Sequence, residues 1–520
     1  MNNKPAIEVE VHTALRDYIR ACGNRGWPHH LTMARLVARA LKLGRSGLLQ
    51  TESSFHKYCM GYLMPVLISD FPVIIVAPED VLIRLQEQEI PKLSHWLGVE
   101  KQVSFDNLWQ AKSQVSLMTP QSWLQALGIG QGSSALANLP NHIPTIIDSA
   151  GDLEEWTRSA LTVTIGQQEW LELIQINSFQ PELQESVRKL KVQLTKSIFA
   201  RPTNRYECFL FDPQELRLIE QVSRSLTQSG KLTPKFEQFH HAVSYRPSKS
   251  RTKISQHYLI WGERDRTTGM FTISFAPGEV AATLQPIWER QPVVLVGSFL
   301  DREPKAEIYR QKLGLPEMLA VKFSPNQQQD WIRLFIPDRF PLANTPEYSP
   351  AINEKINTLV GFSQNNLKFT VILVEDVPLR GQVASNLAAK YGTTVKVDTT
   401  DVSEQGILVC GWQFWKRQQD YLPTPELLIM TTLPLPSLEH PLVASRVELY
   451  KYRRQDWFRL YLLPTALKQI QQAIVPVRES QGIVALLDSR VNFRSYGKTI
   501  LSVLEPCARI NYIDPTWFLS

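Results

Sequence analysis

Cysteine is scarce and scattered in this chain: five residues, Cys22, Cys59, Cys208, Cys410 and Cys507, with no CxxC pair. That spacing excludes a disulfide framework, offers neither a zinc nor an iron–sulfur site, and suits a reducing compartment. No apolar run reaches the roughly 18 residues of a membrane span. The opening MNNKPAIEVEVH is too polar for a signal peptide. A cytoplasmic protein with no membrane attachment is the expectation. Neither sign of charge dominates: the net charge of +6 permits a polyanionic partner without demanding one. One local absence matters more. The loop Thr51–Tyr58, TESSFHKY, lies between a short strand at Ser46–Gln50 and a helix through Tyr62–Leu67, and contains no glycine.

What is present is a globular composition, 43% hydrophobic and 20% charged over 520 residues, too long for one core. Apolar runs such as Val73–Ala77, Val115–Met118 and Val293–Val296 alternate with helical patterns, which predicts an α/β chain. In HIPTIIDSAGDLEEWTRSAL, His142–Leu161, an apolar run ends on Asp148, and Leu153, Trp156 and Ala160 then share a helix face. A buried strand delivering a carboxylate to its C-terminal end is where nucleotide-hydrolysing folds hold Mg²⁺. The strand–loop–helix around Thr51–Tyr58 is the setting of a P-loop. Such a loop uses glycines to wrap phosphates with backbone N–H groups, a lysine to reach them, and a Ser or Thr for the metal.

These stretches, in this order, resemble the DinG and XPD helicases of superfamily 2. The family's acidic box reads D-E-A-H; this chain keeps Asp148 and Ala150 but carries Ser149 and Gly151 at the other two positions. Tyr62-Leu63-Met64-Pro65 matches the family's Y-L-L-P, and counting back places Tyr58 at the P-loop lysine, with Lys57 one residue early. His30 replaces the glutamine that holds adenine in the family, and an imidazole cannot offer an amide's paired donor and acceptor. Gly297-Ser298-Phe299-Leu300 stands for S-A-T-L, and Phe414-Trp415-Lys416-Arg417 for the start of F-W-E-G-V-D. LPLPSLEHPLVASR, Leu433–Arg446, and GIVALLDSRVNFRSYGKTILSVL, Gly482–Leu504, are the closest matches. Of the two arginines in the family's Q-x-x-G-R-x-x-R, only the second survives, as Arg478.

The resemblance implies two RecA-like lobes of the P-loop NTPase type with a helical, arch-like insertion in the first. The expected boundaries are 1–160 plus 268–310 for the first lobe, 161–267 for the insertion and 311–520 for the second. It implies ATP and Mg²⁺ as cofactors where the site functions, with Asp148 as the metal ligand and Arg478 as a catalytic finger. His30, Ser54, Lys57 and Ser298 would be the vestiges of the ATP site. Many relatives hold an iron–sulfur cluster on four cysteines between P-loop and acidic box; this interval has only Cys59, so no cluster is expected, nor zinc. Cations interleaved with aromatics are the footprint of single-strand binding, and equally of a solvated hairpin. Lys235–Arg266 is one such stretch, with Lys235, Arg246, Lys249, Arg251, Lys253, Arg264 and Arg266 among Tyr258 and Trp261, and Arg446–Arg459, with Tyr452, Arg453, Arg454, Trp457 and Arg459, is a second. A single strand of DNA or another nucleic acid is the expected partner, with a protein partner also open.

Three readings follow. The first is a helicase-like protein that binds nucleic acid with its hydrolysis lost or impaired. The second is an active ATP-dependent DNA helicase with divergent motifs, and the third an interaction scaffold without nucleic acid. Packing motifs are intact while cradle glycines, second acid and one finger are missing together, and these groups do not substitute for one another. That contrast favours the first reading. If the two basic–aromatic stretches line one groove, nucleic acid is favoured over a protein partner.

Overall fold

The computed structural model describes residues 6–22, 27–105, 109, 113–130, 139–244, 258–325, 330–365 and 368–518. Its first sheet contains Gly47–Gln50 (β1), Val73–Val76 (β2), Val103–Phe105 (β3), Val115–Met118 (β4) and Thr145–Ile147 (β5). An insertion contributes Val163–Ile165 (β6), Cys208–Leu210 (β7), Tyr258–Asp265 (β8) and Met270–Pro277 (β9), after which Val293–Gly297 (β10) and Leu319–Lys322 (β11) return to the first sheet. The second large sheet holds Ile332–Phe335 (β12), Thr370–Leu373 (β13), Val395–Val397 (β14), Ile407–Cys410 (β15), Leu427–Met430 (β16), Ile483–Leu486 (β17) and Cys507–Ile510 (β18).

Both large sheets are parallel throughout, with orders β11-β1-β10-β5-β2-β4-β3 and β14-β15-β13-β16-β17-β12-β18. Strands covered on both faces must be apolar along their length, and VIIV at β2, VVLVG at β10 and LLIM at β16 are buried at every position. One core, with Val37, Leu63 and Ile75, fills one face of the first sheet; a second, with Trp123, Leu284 and Leu295, fills the other. The second sheet repeats this arrangement, with Trp415 and Ile470 on one face and Ile356 and Leu387 on the other. In such sheets ligands meet the carboxyl ends of the strands. Asp148 follows β5, the middle strand of the first sheet.

The insertion differs from the helical block expected over 161–267. It pairs a four-stranded antiparallel sheet, β6-β9-β8-β7, with helices Gln167–Ile176, Pro181–Ala200, Pro213–Ser229 and Pro234–Ser244. Trp170, Leu190, Phe239 and Ile273 form its core. β8 and β9 make a hairpin whose turn places Gly269 at φ +66°. The pairing moves Met270–Pro277 from the first lobe into the insertion, and that of Leu319–Lys322 with β1 moves this segment from the second lobe into the first. The helical periodicity of residues 167–244 is real; the short strands β6 and β7 between helices give too little alternation to be read.

Candidate nucleotide cleft and nucleic-acid interface

The loop after β1 lies against the end of β10: Thr51 N–H donates to the Gly297 carbonyl at 2.9 Å and Glu52 N–H to that of Ser298 at 3.0 Å. Two amides that could face a phosphate are therefore used within the lobe. Glu52, at φ +47°, accepts from Gln50 Nε2 at 3.0 Å and pairs with Lys322 at 2.8 Å. The chain then enters helix Phe55–Tyr58 and, after Cys59, helix Met60–Ile68. Residues four apart share a helix face, so Tyr58 and Tyr62 point the same way. They converge on Asp148. Tyr58 Oη donates to Oδ1 and Tyr62 Oη to Oδ2, both at 2.7 Å, and Ser149 N–H donates to Oδ1 at 2.5 Å.

Asp148 has no exposed surface. Burial raises its pKa, while the two phenols and the Ser149 amide work in the opposite direction. The same burial and the adjacent carboxylate push both tyrosines far above their usual range, so they remain donors. Where the resemblance implies a lysine beside a metal-bound acid, the chain has a neutral phenol that satisfies the acid directly. Both carboxylate oxygens are engaged by side chains or backbone in this arrangement, and neither is exposed. Among the described residues there is no group of three or more His, Cys, Asp or Glu side chains arranged to hold a metal.

Across the cleft, Glu479 ends helix Leu463–Glu479 of the second lobe and faces this loop. Ser54 Oγ donates to its carboxylate at 2.6 Å, and Lys57 Nζ lies 3.5 Å from it and 3.9 Å from Asp330. Arg478 does not face the loop in this way: it is buried, and its guanidinium donates to the Asp330 and Glu505 carbonyls at 2.7 and 2.8 Å and, at longer range, to Val503 and Pro506. Those bonds tie it into its own lobe. Lys416 and Lys468 both reach Asp152 from the second lobe, Lys416 at 2.9 Å, and Lys468 also donates to the Gly151 carbonyl at 2.7 Å. Burial alone would raise Asp152, but the two ammonium groups hold it at about 2. Ser298 is half-buried and meets the loop through its backbone carbonyl.

His30 opens helix His30–Leu43 and is buried, edge-on to Trp27, with neither ring nitrogen hydrogen-bonded. Burial, with the neighbouring His29, lowers its pKa to about 4. Trp27 also packs edge-on against Phe323. His30 is thus a neutral core residue here.

A chamber of about 850 Å³ lies where both lobes and the insertion meet. The insertion supplies Leu259, Trp261 and Ala276; the second lobe supplies Arg446, Phe458, Arg459, Tyr461, Lys468 and Tyr496; Phe299 and Tyr309 come from the first. Six cations line it (Arg158, Arg302, Lys312, Arg446, Arg459, Lys468) against four carboxylates (Glu154, Glu155, Asp301, Glu303), so its formal balance is positive. Burial would raise Glu154, but Arg446, Lys312 and Arg158 hold it far below the usual carboxylate range. Arg446 also stacks 4.1 Å over the Tyr461 ring, and Phe458 lies 4.9 Å from Tyr496.

Trp261 of the first basic–aromatic stretch and Arg446, Phe458 and Arg459 of the second line this chamber. Several of their members do not. Arg264 is wholly buried in the insertion on Glu207 and three carbonyls, and Lys235 pairs with Glu169. Tyr258 packs against Phe275. Arg453 bonds Glu279 beside a smaller, neighbouring cavity; Arg454 takes φ +56°, and Trp457 is edge-on to Phe458. Arg246, Lys249, Arg251 and Lys253 lie outside the described residues. The sequence reading missed Glu479 and Lys468, and named Tyr62 and Arg446 without the contacts they make. A tyrosine at the lysine position and cations in place of acids, opposite the lone Asp148 and Asp152, were the available signal.

Two facing parallel lobes, a loop after the first strand and an acid after the middle one define the two-lobed RecA-like fold. Residues 423–507 match the family model described as the helicase C-terminal domain. The chain is 23% identical over 366 residues, 64% of its length and 56% of the relative's, to the ATP-dependent DNA helicase YoaA of Escherichia coli. It is 31% identical over 274 residues to the 3'-5' exonuclease DinG of Bacillus subtilis, 47% of this chain and 29% of that protein. The matches thus span about half or less of these curated relatives. Among solved structures, Xpd4 of S. tokodaii aligns over 93% of this chain and all of its own with TM-score 0.59 at 14% identity; an apo XPD aligns over 92% with 0.56 at 12%. The chain thus has the fold of the XPD structures, and its sequence is similar to the DinG-like helicases over part of its length.

Proposed function

We propose that this chain is a helicase-like, nucleic-acid-binding protein whose ATP turnover is lost. The carrying observation is Asp148, fully buried with both oxygens taken by Tyr58 and Tyr62. Binding Mg²⁺ there would require breaking two charge-assisted hydrogen bonds and hydrating a sealed pocket. The acids Glu52, Asp330 and Glu479 around the loop also oppose a polyphosphate. The central chamber supports retained nucleic-acid binding: guanidinium and ammonium groups match phosphates, and Trp261, Phe458 and Tyr496 offer rings to unstacked bases. A single strand is the partner we favour, and the five unpaired cysteines suit a cytoplasmic setting.

The test is ATP hydrolysis by the purified chain with Mg²⁺, with and without single-stranded DNA, beside an Asp148→Asn control. Absent turnover, with strand binding that weakens steeply as salt rises, is the expected result. DNA-stimulated turnover abolished in the control would make it a divergent active helicase. Neither turnover nor strand binding would leave a protein-interaction scaffold.

A further inference from the structure

We infer that Glu479 is a built-in substitute for a bound anion, latching the two lobes together at the nucleotide cleft so that closure is set by side-chain charge. The inference rests on the loss of ATP use proposed above and assigns a regulation to that same cleft. Ser54 and Lys57, the hydroxyl and cation left in the loop after β1, both engage this one carboxylate from the opposite lobe. Phosphates would recruit the same two groups. The carboxylate thus satisfies them and makes the interlobe contact at once.

The rest of the seam has the same character. Asp152 of the first lobe meets Lys416 and Lys468 of the second; Glu154 meets Arg446; Asp80 accepts from Tyr421 Oη at 3.1 Å; and Arg302 donates to Thr499 at 3.3 Å. Lys416 stands where the family places an acid, and the partner it finds is itself an acid. Loss of a motif by drift would scatter charges without regard to sign. Here Lys416, an altered position in one lobe, complements Asp152 of the other. Further anions are disfavoured nearby: desolvation together with Asp80 and Glu479 raises the pKa of Asp420. The chamber takes walls from both lobes, so the latch that holds the lobes also holds the chamber's shape.

The experiment measures interlobe distance in the full-length chain, using spin labels at Glu87→Cys and Gln413→Cys, both exposed, with Cys22→Ser and Cys507→Ser. Lys57→Glu and Glu479→Lys are compared singly and together, alongside binding of a fluorescent oligothymidylate. Lys57 and Glu479 keep 33% and 28% of their side-chain surface, so the variants leave the cores untouched. Each single reversal should lengthen and broaden the distance distribution and weaken strand binding on the order of tenfold, and the double swap should restore both. Millimolar MgATP should leave the wild-type distribution unchanged.

Unchanged distances in both single variants, or a double swap that fails to rescue, would overturn the latch while wild-type strand binding left the nucleic-acid reading standing. A wild-type distribution that shifts with MgATP would overturn the latch and the loss of nucleotide use together. Distances that obey the charge pattern in a chain that binds no strand would keep the latch and remove the nucleic-acid reading.

Discussion

Two clefts open between the same two lobes, and they have been treated differently. At the loop after β1 the lobes meet through Ser54, Lys57 and Glu479, and the acid behind it is sealed by Tyr58 and Tyr62. At the junction with the insertion they stand apart around about 850 Å³ with a positive balance and several rings. A protein losing constraint everywhere would fill or corrupt both. One cleft is closed by side-chain contacts between the lobes while the other is a lined cavity.

The sharpest way to break the contrast is to disturb the sealed side. Asp148→Ala leaves two buried phenols without an acceptor, and a loss of about 3–5 kcal/mol in unfolding free energy is expected by urea titration. A change under about 1 kcal/mol would mean the seal is not structural.

His30 tests the same side by pH. Its folded pKa, about 4, lies below the ordinary histidine value of about 6.5, so the unfolded chain binds more protons between the two. Stability is full above about pH 6.5 and declines as pH falls toward 4, by on the order of 3 kcal/mol in all. His30→Phe should flatten that slope in melts across this window.

On the open side, Tyr496→Ala should weaken oligothymidylate binding by about 1–3 kcal/mol, read by fluorescence anisotropy, while sparing the latch distances. The smallest effect belongs to Arg459, whose side chain is 76% exposed: Arg459→Ala should change stability by less than about 1 kcal/mol but lower the salt slope of strand binding by about one counterion.

Much of the scaffold could be read from residues alone. Uninterrupted apolar runs announced β2 and β10, and Asp148 does end a central strand ahead of a helix bearing Leu153 on its buried face. The insertion was harder. β6 and β7 are three residues each, too short for alternation to outweigh the helices around them, while the β8–β9 hairpin sat inside a stretch equally readable as strand-binding. The site was legible as a set of losses and illegible as a set of replacements. Tyr58 and Lys416 each departed from a familiar pattern, and nothing local says that one reaches Asp148, 90 positions away, or that the other reaches Asp152, 264 away. Likewise, several promising cations proved to be internal. Arg264 lies on a strand among aromatics, yet its charge is consumed by Glu207 and backbone carbonyls within the insertion.

Gly151 carries one more implication. A Cβ built there would stand 2.9 Å from the Phe299 carbonyl oxygen and 3.3 Å from Lys468 Cε, the first a rigid neighbour within the lobe and the second reaching in from across the seam. The histidine that relatives carry at this point could enter only by pushing Phe299 aside and dislodging Lys468 from Asp152. A side chain at position 151 would therefore strain the joint between the lobes. Position 151 is thus constrained from both lobes at once, and a larger residue there would need compensating changes on both sides of the seam.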